Sequence, residues 1–263
     1  MDLGITGKTA LVTGASAGLG FATALALAAE GAKVAINSRS AANLEKASAR
    51  IKEKTGFRPA IVVGDLSIEG MAEKVTRDAT AELGRIDILV VNAGGPPPGP
   101  FLNHSKEAWE KAAHLTLFSA INLSRAVIPD MMKSRWGRII FITSVAVKQP
   151  LENLIISNTL RAGVTGFAKS IANETAPFGI TINTVCPGFT DTERLKGLAE
   201  NISAATGKSV EEAYQSWRAT IPAGRLGKPE ELAALITFLA SEKAAFITGT
   251  SIQVDGGSYK GLL

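Results

Sequence analysis

Residues Thr13 to Gly20 read TGASAGLG, and the place of this stretch in the chain decides the fold. It follows the apolar run ALV that begins at Ala10 and opens a segment rich in Ala and Leu. Gly14, Gly18 and Gly20 permit a tight strand-to-helix turn whose backbone N–H groups approach a pyrophosphate at the positive end of the helix. A glycine pattern alone is a weak signal, equally readable as a turn without a ligand. Its position between strand and helix gives it weight.

Outward from this turn, short apolar runs recur: VAI at Val34, IVV at Ile61, ILVV at Ile88, IIFI at Ile139, TINTV at Thr181 and SIQV at Ser251. Helix-patterned segments separate them. Runs without polar alternation suit strands buried on both faces, as in a parallel sheet covered by helices on each side. The pattern predicts an α/β doubly wound parallel sheet, a Rossmann fold, in a single domain spanning residues 1–263. Ligands of such sheets bind beyond the carboxyl ends of the strands, so the residues after each run are the candidates.

Composition narrows the function classes. A chain of 263 residues with 46% hydrophobic residues can bury one large core, and no stretch reads as a linker. Its net charge of +4 is spread rather than blocked, so nucleic acid is not implied. Cys186, in NTVCPG, is the only cysteine. That excludes an intramolecular disulfide and a cysteine-based metal site, and it reads as a small packed thiol. No metal is expected. The stretch MDLGITGKTALVTG carries no basic segment followed by a long apolar one, and no apolar run reaches the roughly 18 residues of a membrane span. A cytoplasmic protein with no membrane partner is expected.

The ordered motifs TGASAGLG, GDL at Gly64, NAG at Asn92, Ser144 after the fifth strand, CPG at Cys186 with Thr192 behind it, GRLGKPEELA and VDGG resemble the short-chain dehydrogenase/reductase family. The likeness covers nearly the whole chain and is strongest to members labelled 3-oxoacyl-[acyl-carrier-protein] reductase-like. It implies that a dinucleotide meets Gly14, Ser16, Gly18, Leu19 and Gly20 in the turn. Asp65 with Leu66 would face the adenine. Asn92, Ala93 and Gly94 would line the nicotinamide ribose side, with Pro187, Gly188 and Thr192 at the nicotinamide end. The same resemblance implies a homodimer or homotetramer built on the long helices Ser105 to Lys133 and Leu154 to Thr175, and a mobile lid at about 191–223.

The choice of cofactor rests on charge. NAD sites usually place an acidic side chain after the second strand to hold the ribose 2′-hydroxyl, whereas a 2′-phosphate needs cationic and hydroxyl donors. This chain reads VAINSRS, with Ser38 where the acid would stand and Arg39 next. A guanidinium fork suits phosphate, so NADP is favoured over NAD. An ordinary surface charge is the alternative reading of Arg39.

The catalytic set departs from the resemblance. The family pairs hydride transfer with a proton from Tyr in YxxxK, thirteen residues beyond the Ser. Here that count reaches Ser157 and Arg161, in SNTLR. Where relatives carry Asn seven residues after a Trp, Trp109 is followed by Thr116. An aliphatic hydroxyl is a far weaker acid than a phenol. Arg161 can donate to the nicotinamide ribose and hold a positive field, but cannot exchange its proton at physiological pH. Ser144 suits polarisation of a substrate oxygen, with a helix-capping serine as the alternative. A proton could come from water, from a substrate group, or from Lys148 or Glu152 in VKQPLEN. His104 and His114 read as packing or surface residues. Tyr214, Trp217 and Arg218 in AYQSWR lie on an expected lid helix, where they either touch substrate or pack within the lid. Two functions stay open: an NADP-dependent oxidoreductase interconverting a carbonyl and an alcohol, and a dinucleotide-binding sensor or partner subunit that has lost turnover.

Overall fold

A computed structural model describes residues 1–262. Their elements run β1 (Thr9–Val12), α1 (Gly18–Ala29), β2 (Lys33–Ser38), α2 (Ala41–Thr55), β3 (Ala60–Val63), α3 (Met71–Leu83), β4 (Ile88–Val91), α4 (Lys106–Ala113), α5 (Ser119–Ser134), β5 (Gly137–Ile142), α6 (Ile155–Thr175), β6 (Ile180–Pro187), α7 (Glu193–Thr206), α8 (Val210–Thr220), α9 (Pro229–Leu239) and β7 (Ser251–Val254). Every apolar run singled out in the sequence lies in a strand.

Among the described residues the seven strands form one sheet in the order β3-β2-β1-β4-β5-β6-β7. All six pairings are parallel. Parallel pairing needs a crossover between neighbours, and the crossover helices bury both faces. On one face Leu27 of α1, Leu44 and Ile51 of α2, and Ile236 and Leu239 of α9 pack on Ala10, Val12 and Ile36. On the other, Val75 of α3, Leu123 and Val127 of α5, and Val164 and Ala168 of α6 pack on Leu11, Leu89 and Ile139. Val90 and Leu89 are neighbours in β4 yet belong to opposite cores, as period-two side-chain alternation demands.

One expectation is corrected. The helix expected from Ser105 to Lys133 is interrupted: α4 passes into α5 through a π-turn at His114–Phe118. The looser hydrogen bonding widens the helix where Thr116 enters the interior. The helix expected from Leu154 is continuous from Ile155 to Thr175. Among the described residues no helix is long and apolar enough to cross a membrane.

Candidate active site

The sheet order reverses between β1 and β4. From β1 the chain passes to β2 and β3 on one side, then returns to β4 on the other, leaving a crevice beyond the carboxyl ends of β1 and β4. Side chains tie its two loops together. Thr13 Oγ1 donates to the Asn92 carbonyl at 2.9 Å and accepts from the Asn92 N–H at 2.9 Å. Asn92 Nδ2 donates to the Gly14 carbonyl at 3.0 Å. A Cβ at Gly20 would collide with that same carbonyl, so the turn closes tightly on the helix that follows.

At the start of α1, Ala17 supplies no side-chain cap and the first turn holds no acidic residue. The first N–H groups of the helix therefore keep their donor capacity for an anion. Gly94 borders open space, with nothing within 4 Å of where a Cβ would stand.

A cleft of about 560 Å³ opens here and brings together Gly14, Gly18, Leu19, Asn92, Ala93, Gly94, Ser144, Arg161, Pro187, Gly188 and Thr192. Ser38, Arg39, Asp65 and Leu66 lie outside it, at the ends of β2 and β3, and Ser16 lies in the turn beside it. Arg39 is exposed and, among the described residues, has no hydrogen-bond or ion-pair partner. Burial works to raise the Asp65 pKa, but bonds from the Ser67 N–H and Oγ at 2.9 and 2.8 Å, with Arg39 and Lys111 nearby, bring it below the usual range. A free guanidinium beside Ser38, an uncapped helix N-terminus and a cradle at Gly94 fit a dinucleotide bearing a 2′-phosphate. Thr192 caps α7 by accepting from the Leu195 N–H at 3.3 Å, and its methyl group lies 3.6 Å from where a Gly18 Cβ would stand.

Ser144 follows β5, lines the cleft, and accepts from the Ala146 N–H at 3.1 Å. It is thus a capping serine and a cleft serine at once, since its own O–H remains free to donate.

Arg161 is more deeply committed than its sequence position suggests. Nη1 donates to the carbonyls of Ile142 at 3.0 Å and Thr143 at 2.7 Å, and Nη2 to that of Ala93 at 3.3 Å. The residue is 8% exposed. Burial, then the charge of Arg194, lowers its pKa to about 10, against a small opposing effect of Cys186. Arg161 therefore staples the end of β5 to the Asn92–Gly94 loop. Its Nε and one Nη2 hydrogen are left for a ligand.

Ser157 and Thr116 are buried and do not line the cleft. Thr116 Oγ1 has no hydrogen-bond partner. Cys186 is buried 3.3 Å from Thr143 Oγ1, and burial pushes its thiol pKa up, as suits a packed thiol. His104 Nε2 lies 3.2 Å from the Gly99 carbonyl, and the His114 ring tilts against Phe118 at 5.3 Å. Lys148 and Glu152 line no part of the cleft. Trp217 stacks on Phe189 at 5.3 Å and meets Tyr214 edge-on at 5.5 Å, while Arg218 pairs with Glu211. Among the described residues no three His, Cys, Asp or Glu side chains gather as a metal site would require.

The sequence reading passed over Arg194 and the apolar wall of Pro98, Val145, Leu151, Leu154, Phe189, Leu195 and Leu198. Arg194 stands two residues beyond Thr192, in the first turn of α7, and that spacing was the available signal.

A doubly wound sheet with a glycine turn, a cleft at its switch point and a serine beside that cleft defines a dinucleotide-dependent oxidoreductase. The family model described as "Enoyl-(Acyl carrier protein) reductase" matches residues 14–259, and the chain belongs to this short-chain dehydrogenase/reductase family. It is 40% identical over 254 residues to the 3-oxoacyl-[acyl-carrier-protein] reductase of Escherichia coli strain K12, covering 96% of this chain and 98% of that enzyme. The enzyme of the same name from Vibrio cholerae is 38% identical over 257 residues, covering 98% and 99%. Among solved structures, L-sorbose reductase from Gluconobacter frateurii, complexed with NADPH and L-sorbose, superposes with a TM-score of 0.95 at 33% identity over 100% of both chains.

Proposed function

We propose that the chain interconverts a carbonyl compound and an alcohol with NADP as hydride carrier, using Ser144 and Arg161 in place of a tyrosine-centred set. The observation that carries this reading is that one cleft joins the glycine turn, the free O–H of Ser144 and the unspent donors of Arg161. A 3-oxoacyl-[acyl-carrier-protein] reductase and an L-sorbose reductase among the proteins it resembles agree with a carbonyl substrate.

When bound, the reduced nicotinamide supplies the hydride. Ser144 donates to the carbonyl oxygen and orients it, while the Ala146 N–H holds the serine rotamer. Arg161 keeps positive charge near the oxygen as negative charge develops there, a stabilisation that low local dielectric strengthens. The proton then comes from water or a substrate group, since Lys148 and Glu152 line no part of the cleft. Loss of a dedicated acid removes roughly 10² to 10⁴-fold, about 3 to 5 kcal/mol, whereas positioning two reactants is worth about 7 to 11 kcal/mol. Turnover therefore survives the missing phenol.

A second reading, a dinucleotide-binding sensor or partner subunit without turnover, draws on Ser157, a buried aliphatic hydroxyl at the position of the family's acid. One assay separates the two. Purified protein, NADPH and a panel of carbonyl compounds are mixed and the absorbance of the reduced nicotinamide is followed. Substrate-dependent oxidation supports the enzyme; tight NADPH binding with no oxidation selects the sensor.

Three attributes belong to the same proposal. The helical pair α7 and α8 serves as the lid at about 191–223, in a single domain. Exposed Phe118, the last residue of the π-turn before α5, fits a covered face in a homodimer or homotetramer. The location is cytoplasmic.

A further inference from the structure

Two guanidinium groups share the cleft. Arg161 hangs on the Ala93 carbonyl and Arg194, from the first turn of α7, donates through Nη1 to the Gly95 carbonyl at 3.0 Å. Both line the cleft. Arg194 lies so close over Gly95 that a Cβ there would collide with its guanidinium. Among the described residues neither arginine makes an ion pair, although Glu193 lines the same cleft.

Like charges held this near each other raise the free energy of the site unless an anion sits between them. The proximity is felt by Arg161, whose pKa is lowered first by burial and next by Arg194. Arg194 keeps considerable solvent exposure, yet the protein around its guanidinium lowers its pKa by desolvation too. Each retains unspent N–H donors: Nε and one Nη2 hydrogen on Arg161, and the Nε and Nη2 side of Arg194. A planar fork of that kind matches carboxylate or phosphate oxygens. The rest of the wall is apolar, from Val145, Leu151, Leu154, Phe189 and Leu198.

We propose that Arg161 and Arg194 form an anion clamp, and that the carbonyl substrate is an oxo acid whose carboxylate it holds while an apolar body lies along the lid side. This rests on the reductase reading above. The phosphates of the dinucleotide offer the same anionic chemistry, so the test must tell the two sources apart.

The probes are benzoylformate and its methyl ester, which share a carbonyl and a ring and differ in charge. Arg194→Gln is the variant, since an exposed position in a first helical turn tolerates it. The ratio of kcat/KM for acid over ester should fall by about 10- to 100-fold, the loss expected for a charge-assisted bond. The calorimetric affinity of benzoylformate for the protein saturated with NADP should fall by the same factor, and Arg194→Lys should recover part of it. Weaker NADPH binding with an unchanged acid-to-ester ratio would assign the clamp to the dinucleotide and overturn the substrate class. An unchanged ratio with unchanged NADPH affinity would overturn the clamp itself. Benzoylformate that binds through Arg194 but is never reduced would uphold the clamp and count against the reductase reading alone.

Discussion

Replacing Arg161 with Ala should destabilise the fold and weaken both dinucleotides together. Three charge-assisted bonds to Ile142, Thr143 and Ala93 are lost, at about 1.5 to 3 kcal/mol each, or about 4.5 to 9 kcal/mol. Against this, the variant no longer buries a cation. The lowering of the Arg161 pKa to about 10 by burial and by Arg194 corresponds to roughly 3 kcal/mol of penalty on the charged form. The difference spans about 1.5 to 6 kcal/mol and centres on about 4 kcal/mol. For a chain of this size the central figure lowers Tm by roughly 8 to 16 °C. Differential scanning calorimetry without cofactor reads this directly. With the staple gone, the Asn92–Gly94 loop loses its fixed distance from β5. Affinities for NADPH and NADH should then fall by similar factors, because the nicotinamide ribose is common to both. A Tm change below about 2 °C would refute the staple. A loss confined to NADPH would show that Arg161 serves the 2′-phosphate instead.

Arg39→Ala should weaken NADPH binding by about 1.5 to 3 kcal/mol and leave NADH nearly unaffected, while Ser38→Asp should invert the preference by repulsion; equal losses for both cofactors in titration calorimetry would contradict the phosphate site. Ser157→Tyr with Arg161→Lys restores a phenol beside an ammonium and should raise turnover of simple ketones by up to roughly 10²-fold, with Ser157→Tyr alone gaining less. A folded, NADPH-binding double variant slower than the wild type would mean that SNTLR belongs to a different proton route. Glu231 accepts from Arg225 at 2.6 and 2.9 Å and from the Lys228 N–H at 2.7 Å, and these bonds, opposed only by slight desolvation, lower its pKa from 4.5 to about 2. A depressed carboxylate stabilises the fold above its unfolded pKa and loses that contribution as pH falls through its folded one. Glu231→Gln should therefore melt below the wild type at pH above about 4.5, and the gap should close as pH falls toward 2. A gap independent of pH would show that the ion pair is not its source.

Strands such as β1 and β4 were legible because a strand covered on both faces is apolar at nearly every position, so its run stands out without periodicity. β7 is only half-buried and β6 carries buried Thr181, Asn183 and Thr184, and these two were found from their place in the alternation of strand and helix. The glycine turn was legible because only glycine tolerates the approach of Gly14 and Gly20. The π-turn was not: WEKAAHLTL holds no Gly or Pro to mark it. Ser144 and Arg161 were found by counting, yet the role of Arg161 as a staple needed residues 93, 142, 143 and 161 to meet in space. Arg194 escaped because TDTERLK reads as a solvated helix start. Only the fold lays its guanidinium over Gly95.

A cleft without a phenol should still deliver hydride to a carbonyl carbon. NADPH labelled with deuterium at the transferable position of its nicotinamide, incubated with the carbonyl panel, tests it by mass spectrometry of the products. Deuterium is expected on the carbinol carbon of an alcohol, with Ser144→Ala slowing its appearance by roughly 10² to 10³-fold while NADPH still binds. NADPH bound tightly with no label in any product would contradict it.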